Sequence, residues 1–149
     1  MSRANRFLCL LCLLCINTAV AETDIETSAI FGHYEVHYSV LPTSFLQPDI
    51  AKAYGIVRAE NRALITIAVT DRDHPNAGGL PATISGSRTD LIQRHALEFQ
   101  TVQEQTATYF ISEFRFSGRE RWIFDINITP EGSNAALPLH FEKTFELPE

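Results

Sequence analysis

Beyond residue 21 the sequence contains neither cysteine nor methionine. No disulfide can brace that part of the chain, and no thiol is available there as a nucleophile or a metal ligand. Soft-metal carriage of the Cu(I) kind relies on sulfur donors, so it is excluded too. Apolar runs long enough to cross a membrane are also missing after residue 21, and no transmembrane segment is predicted there. Basic blocks are missing as well. The chain carries a formal charge of -6 at pH 7, with dispersed cations. An acidic chain is a poor match for nucleic acid, where neutralising phosphates supplies most of the affinity.

The first residues account for the missing sulfur. Arg3 and Arg6 precede an apolar run from Phe7 to Ile16, and small residues stand at Ala19 and Ala21. This order predicts a secretory signal peptide over residues 1–21, cut between Ala21 and Glu22. Cys9, Cys12 and Cys15 all fall inside it. Each follows a leucine rather than a small residue, so no lipid anchor is predicted. The remaining length of about 128 residues suits a single domain. Residues 22–29 are polar and read as a loose leader, and residues 30–149 as the domain.

Period-two alternation dominates that domain. In "HYEVHYSV", Tyr34, Val36, Tyr38 and Val40 alternate with His33, Glu35, His37 and Ser39. "ALITIAVT" places Ile65, Ile67 and Val69 on one face, and "RWIFDINIT" does the same for Trp122, Phe124, Ile126 and Ile128. "PATISG", "HALEFQTV", "TYFISEFRF" and "LHFEKTFEL" complete seven predicted strands. Turn residues separate them, as in "DHPNAGG", "SG" and "TPEGSNAALP". "PDIAKAYG", with proline first and glycine last, fits one or two helical turns over residues 48–55. Seven short strands with little helix predict an all-β, immunoglobulin-like antiparallel sandwich. A barrel is the alternative.

His33 and His37 carry the spacing of a helical metal site, but they lie in a strand pattern. Four residues along a strand span roughly 13 Å. Ligands of one zinc ion stand about 2 Å from the metal. The pair therefore cannot share a metal, and no metal or cofactor is predicted. Asp71 to His74, "DRDH", gathers hard donors in a loop. Pro75 then takes the place of a further oxygen ligand of a calcium loop, so a solvated charged turn fits better.

"YEVHYS", "SFL", "AKAYGI" and "NRALI", followed more loosely by "FISEFRFS" and "FDINITP", resemble a family of small exported bacterial proteins. It is known only as domain-of-unknown-function family 4426. The likeness covers nearly all of the chain after residue 21. It implies a periplasmic, immunoglobulin-like domain from a Gram-negative bacterium, and it implies no activity. The motif positions it marks are His37, Ser44, Tyr54, Asn61 and Arg62.

Each marked residue has two uses. His37 fits a ligand or donor in a groove, and equally a strand-face histidine tied to a backbone carbonyl or to Glu35. Arg62 and Asn61 fit anion recognition, since arginine offers a rigid fork for carboxylate or phosphate. They fit equally an ion pair and a turn. Trp122 and Tyr109 could line a carbohydrate or peptide groove, although core packing explains most aromatics. No G-x-S-x-G, phosphate loop or H-E-x-x-H is present.

The sequence therefore predicts a non-catalytic, exported binding module. Its expected partner is another protein or an envelope component, met by strand addition at a sheet edge. The alternative is a small-ligand or metal-binding protein using the His37 and Arg62 region, with Tyr54 and Asn61 as further candidates.

Overall fold

A computed structural model of the chain describes residues 27–90 and 92–147. The predicted signal peptide, its cleavage site and the three cysteines lie outside the described residues.

Among the described residues nine strands form two antiparallel sheets. They are β1 (Ser28–Phe31), β2 (Tyr34–Pro42), β3 (Arg62–Asp71), β4 (Ala82–Thr89), β5 (Arg94–Leu97), β6 (Gln100–Glu104), β7 (Ala107–Arg115), β8 (Glu120–Pro130) and β9 (Leu137–Phe145). One sheet has the order β1-β2-β3-β7-β6 and the other β5-β4-β8-β9. The all-β sandwich is as expected, with nine strands in place of seven. β1 begins two residues before the domain boundary drawn at residue 30. The single strand read through "HALEFQTV" is two, β5 and β6, which belong to different sheets. The chain changes sheets at Glu98 and Phe99, between two strands each too short to show a phase of its own.

The core is what the alternation implies. Val36, Ile65, Ile67 and Val69 from one sheet meet Trp122, Phe124, Ile126 and Ile128 from the other, all buried. Because side chains alternate across a strand, the same strands put a second set on the outer face of the larger sheet. Leu64 of β3 and Ile111 of β7 are buried there beneath Ala51 and Ile56.

Ala51 belongs to α1 (Pro48–Ala53), the one α-helix among the described residues. Pro48 at its start needs no hydrogen-bond partner for its nitrogen. Asp49 in the first turn and Lys52 in the last complement the helix dipole. Gly55 follows with φ of 69°, a left-handed conformation that glycine adopts without strain. The helix ends two residues before the predicted limit at Gly55. No helix among the described residues is long and apolar enough to cross a membrane.

Candidate functional site

The helix covers only part of the outer face. Beside it an open groove of about 240 Å³ runs toward β6. Its floor is Leu64, Ile111 and Val102, and its walls include Ile50 and Tyr54 on one side and Tyr109 on the other. Glu104 is the one acid on its lining. Ile50 remains 48% exposed, and Phe45, on the 3-10 turn Thr43–Phe45 before the helix, is 78% exposed. An exposed apolar side chain such as Ile50 on the wall of a concave apolar floor is a feature of interaction surfaces.

The groove borders a free sheet edge. Among the described residues β6 pairs with β7 alone, in a register that sets Val102 opposite Tyr109. The other edges are less accommodating. β1 and β5 have four residues each, and β9 carries Pro138 and Lys143, both common guards against edge pairing. β6 carries neither.

The residues singled out from the sequence are dispersed. Tyr54 lines the groove. His37 lies exposed on the outer face of β2, where Nε2 is 3.2 Å from Thr70 Oγ1 and 4.0 Å from Glu35 Oε2. Arg62 Nη1 donates to Glu113 Oε2 at 3.1 Å on the neighbouring strand. The Asn61 carbonyl accepts from the Phe116 amide at 3.0 Å, and the residue edges a polar hollow at one end of the sandwich. Ser44 receives Arg58 Nη2 at its carbonyl, 2.9 Å away.

His37 stands opposite Ala68, six positions along β3 from Arg62. That separation is roughly 20 Å, so the two cannot hold one small ligand between them. Of the two aromatics offered for a groove, Tyr109 lines it, whereas Trp122 is 3% exposed and belongs to the core. Among the described residues no three histidine or acidic side chains gather as a metal site.

"DRDH" forms the compact charged turn expected of it. Asp71 Oδ1 accepts from the Asp73 amide at 2.9 Å, and Oδ2 pairs with His74 Nδ1 at 2.9 Å. The hydrogen bond with His74 holds the Asp71 carboxyl below its usual pKa, and the same bond raises His74.

The sequence does not mark Val102, Ile111 or Ile50 as site residues. Val102 and Ile111 lie in strands whose apolar residues on both faces look like ordinary core. Only the placement of α1 shows which of them remain open.

The sequence profile of the domain of unknown function DUF4426 matches residues 28–146. The chain belongs to the DUF4426 family. A crystal structure of a DUF4426 family protein from Pseudomonas aeruginosa PAO1 superposes with a TM-score of 0.70 at 32% identity, over 82% of this chain and 95% of that one. A copper-bound variant of FetP from uropathogenic Escherichia coli strain F11 superposes with a TM-score of 0.52 at 11% identity, over 80% of this chain and 93% of that one. An as-isolated FetP from the same strain gives 0.50 at 11% identity, over 79% and 90%. The FetP likeness is one of fold. No curated protein matches the chain.

Proposed function

We propose that this chain is an exported, periplasmic binding module of a Gram-negative envelope, without catalytic activity, whose partner is another protein. The observation that carries this reading is the apolar groove beside α1 running up to the edge of β6, a strand without proline or lysine. A partner segment in extended conformation adds to β6 as a further strand. Main-chain hydrogen bonds supply affinity, and an apolar side chain seated over Val102 and Ile111 supplies selectivity. Glu104 at the rim favours a cation on the same segment.

The signal-peptide pattern supports export. The Pseudomonas relative supports a Gram-negative setting.

The test is chemical cross-linking in intact cells expressing the tagged, exported chain, with Ile50→Asp alongside. A discrete adduct that disappears with Ile50→Asp, while thermal stability is retained, is the expected result. An adduct indifferent to the substitution, or none, contradicts the reading.

A further inference from the structure

The two flanks of the sandwich are finished differently. On one, the chain itself passes between the sheets at Glu98 and Phe99, and Phe99 packs on the core. On the other, where β2 faces β9, a cleft of about 240 Å³ opens between the sheets. Tyr38 and Val40 line it from β2, and Phe141 and Lys143 from β9. Alternation points all four into the sandwich, yet all four are only half-buried. Val36, Leu139 and Phe145 on the same two faces are buried. The Tyr38 ring stacks on Phe141 with centroids 4.4 Å apart, which gives the cleft an aromatic floor.

Strand pairing stops at the same place. β1 covers residues 34–37 of β2, and the Thr27 carbonyl accepts from the Tyr38 amide at 2.8 Å. Among the described residues nothing pairs with residues 39–42 on that side, although β3 pairs with them on the other. Thr27 and Tyr38 stand directly opposite each other, so the ladder on that side uses every second residue of β2. The amide and carbonyl of Val40 come next, and Pro42, which has no N–H, ends the strip. Such a row of backbone groups is a template for a further strand.

Thr27 itself lines the cleft, so the chain enters the strip from its own N-terminal side. Five residues, "ETDIE" at 22–26, lie between the predicted cut and Thr27. Continuing the β1–β2 register sets Glu26 opposite Ser39, Ile25 opposite Val40, Asp24 opposite Leu41 and Thr23 opposite Pro42. The length therefore matches the uncovered strip. The phase matches too. Ile25 falls on the face of Ala29 and Phe31, which pack on the core, and Asp24 and Glu26 fall on the outer face. Ile25 is the only apolar residue of the five, and it arrives at the apolar cleft. We infer that residues 23–26 dock along residues 39–42 as an extension of β1, with Ile25 seated in the cleft against Val40 and Phe141. The leader thereby seals the flank that the sheets leave open. This site is separate from the groove and does not depend on the reading given to it.

The sequence has no cysteine after residue 21, so an introduced pair reports docking without background. Glu26→Cys with Ser39→Cys occupies a non-hydrogen-bonded pair of the proposed register, where Cα atoms stand about 4.5 Å apart, within disulfide range. Glu26→Cys with Thr144→Cys, exposed on β9, is the control. Both chains are exported to the periplasm and purified without reductant, and free thiols and intact mass are measured. A disulfide within one chain in nearly all of the first pair, and free thiols in the control, is the expected result. Ile25→Asp in the exported chain should lower the thermal midpoint by about 5 °C, and Ile25→Val by much less. Free thiols in the first pair, equal oxidation of both pairs, or an unchanged midpoint for Ile25→Asp would overturn the proposal. A disulfide-linked dimer would overturn it as well, by giving the strip to a second copy of the chain.

Discussion

The Thr43 hydroxyl and the Ala59 amide are held 3.0 Å apart beneath a surface that admits no solvent to Thr43. The same hydroxyl faces the Val57 carbonyl at 2.9 Å and the Ala59 carbonyl at 3.1 Å. One threonine thereby ties the start of the helical arm to its end. The arm forms one wall of the groove, so its placement depends on this contact. Thr43→Val keeps the shape and leaves buried polar groups unpaired, which costs about 1–3 kcal/mol. Denaturant unfolding should show that loss, with Thr43→Ser recovering most of it. An unchanged midpoint for Thr43→Val would mean that the arm is anchored elsewhere.

Ser112 gives a prediction of opposite sign. It faces the core opposite Ile65, 3% exposed, and its hydroxyl has no hydrogen-bond partner among the described residues. Removing an unsatisfied buried hydroxyl relieves its desolvation cost, so Ser112→Ala should stabilise the fold by about 1 kcal/mol. A loss of stability in thermal unfolding would show that the hydroxyl is satisfied in solution.

Gly79 lies against β7, with its carbonyl accepting from the Thr108 amide at 3.0 Å. A Cβ there would press into the Thr108 backbone carbonyl, which cannot rotate away. Gly79→Ala should therefore destabilise by about 1–3 kcal/mol. At Gly118 and Gly132 an added Cβ meets nothing within 4 Å, so only the left-handed backbone opposes alanine there. If Gly79→Ala were the mildest of the three, the close approach would be wrong.

The Asp71–His74 pair predicts a pH window. His74 is raised above 6.5, so its contribution is complete below that value and is lost as pH rises through the raised pKa. Asp71 is lowered below 3.8, so its contribution is complete above that value and is lost as pH falls through the lowered pKa. The turn is thus best held between pH 3.8 and 6.5. NMR titration should give His74 a midpoint above the ordinary histidine value, returning toward it in Asp71→Asn. A His74 midpoint insensitive to that substitution would remove the pair.

Much of the sandwich was legible because burial on one face writes itself as alternation. Trp122, Phe124, Ile126 and Ile128 were read from "RWIFDINIT" and are all buried. β1 and the break between β5 and β6 were not legible. Four residues carry too little alternation to set a phase, and a change of sheet leaves no mark in a short run. The sites were harder still. Arg62 is an ion-pair partner of Glu113, 51 positions away in sequence, and no local pattern encodes that pairing. Arg88 stacks on Phe114 of β7 and Trp122 of β8, a contact that no local pattern encodes. Tyr54 was named, but its role depends on where α1 rests.

The most direct test of the binding-module account uses the edge itself. A photo-reactive amino acid is placed at Glu104, on β6 at the groove, and separately at Thr144, exposed on β9, in the chain exported by living cells. The account predicts a single adduct from the Glu104 position, none from Thr144, and loss of that adduct with Ile50→Asp. Equal labelling from both edges, or a Glu104 adduct that survives Ile50→Asp, would contradict it.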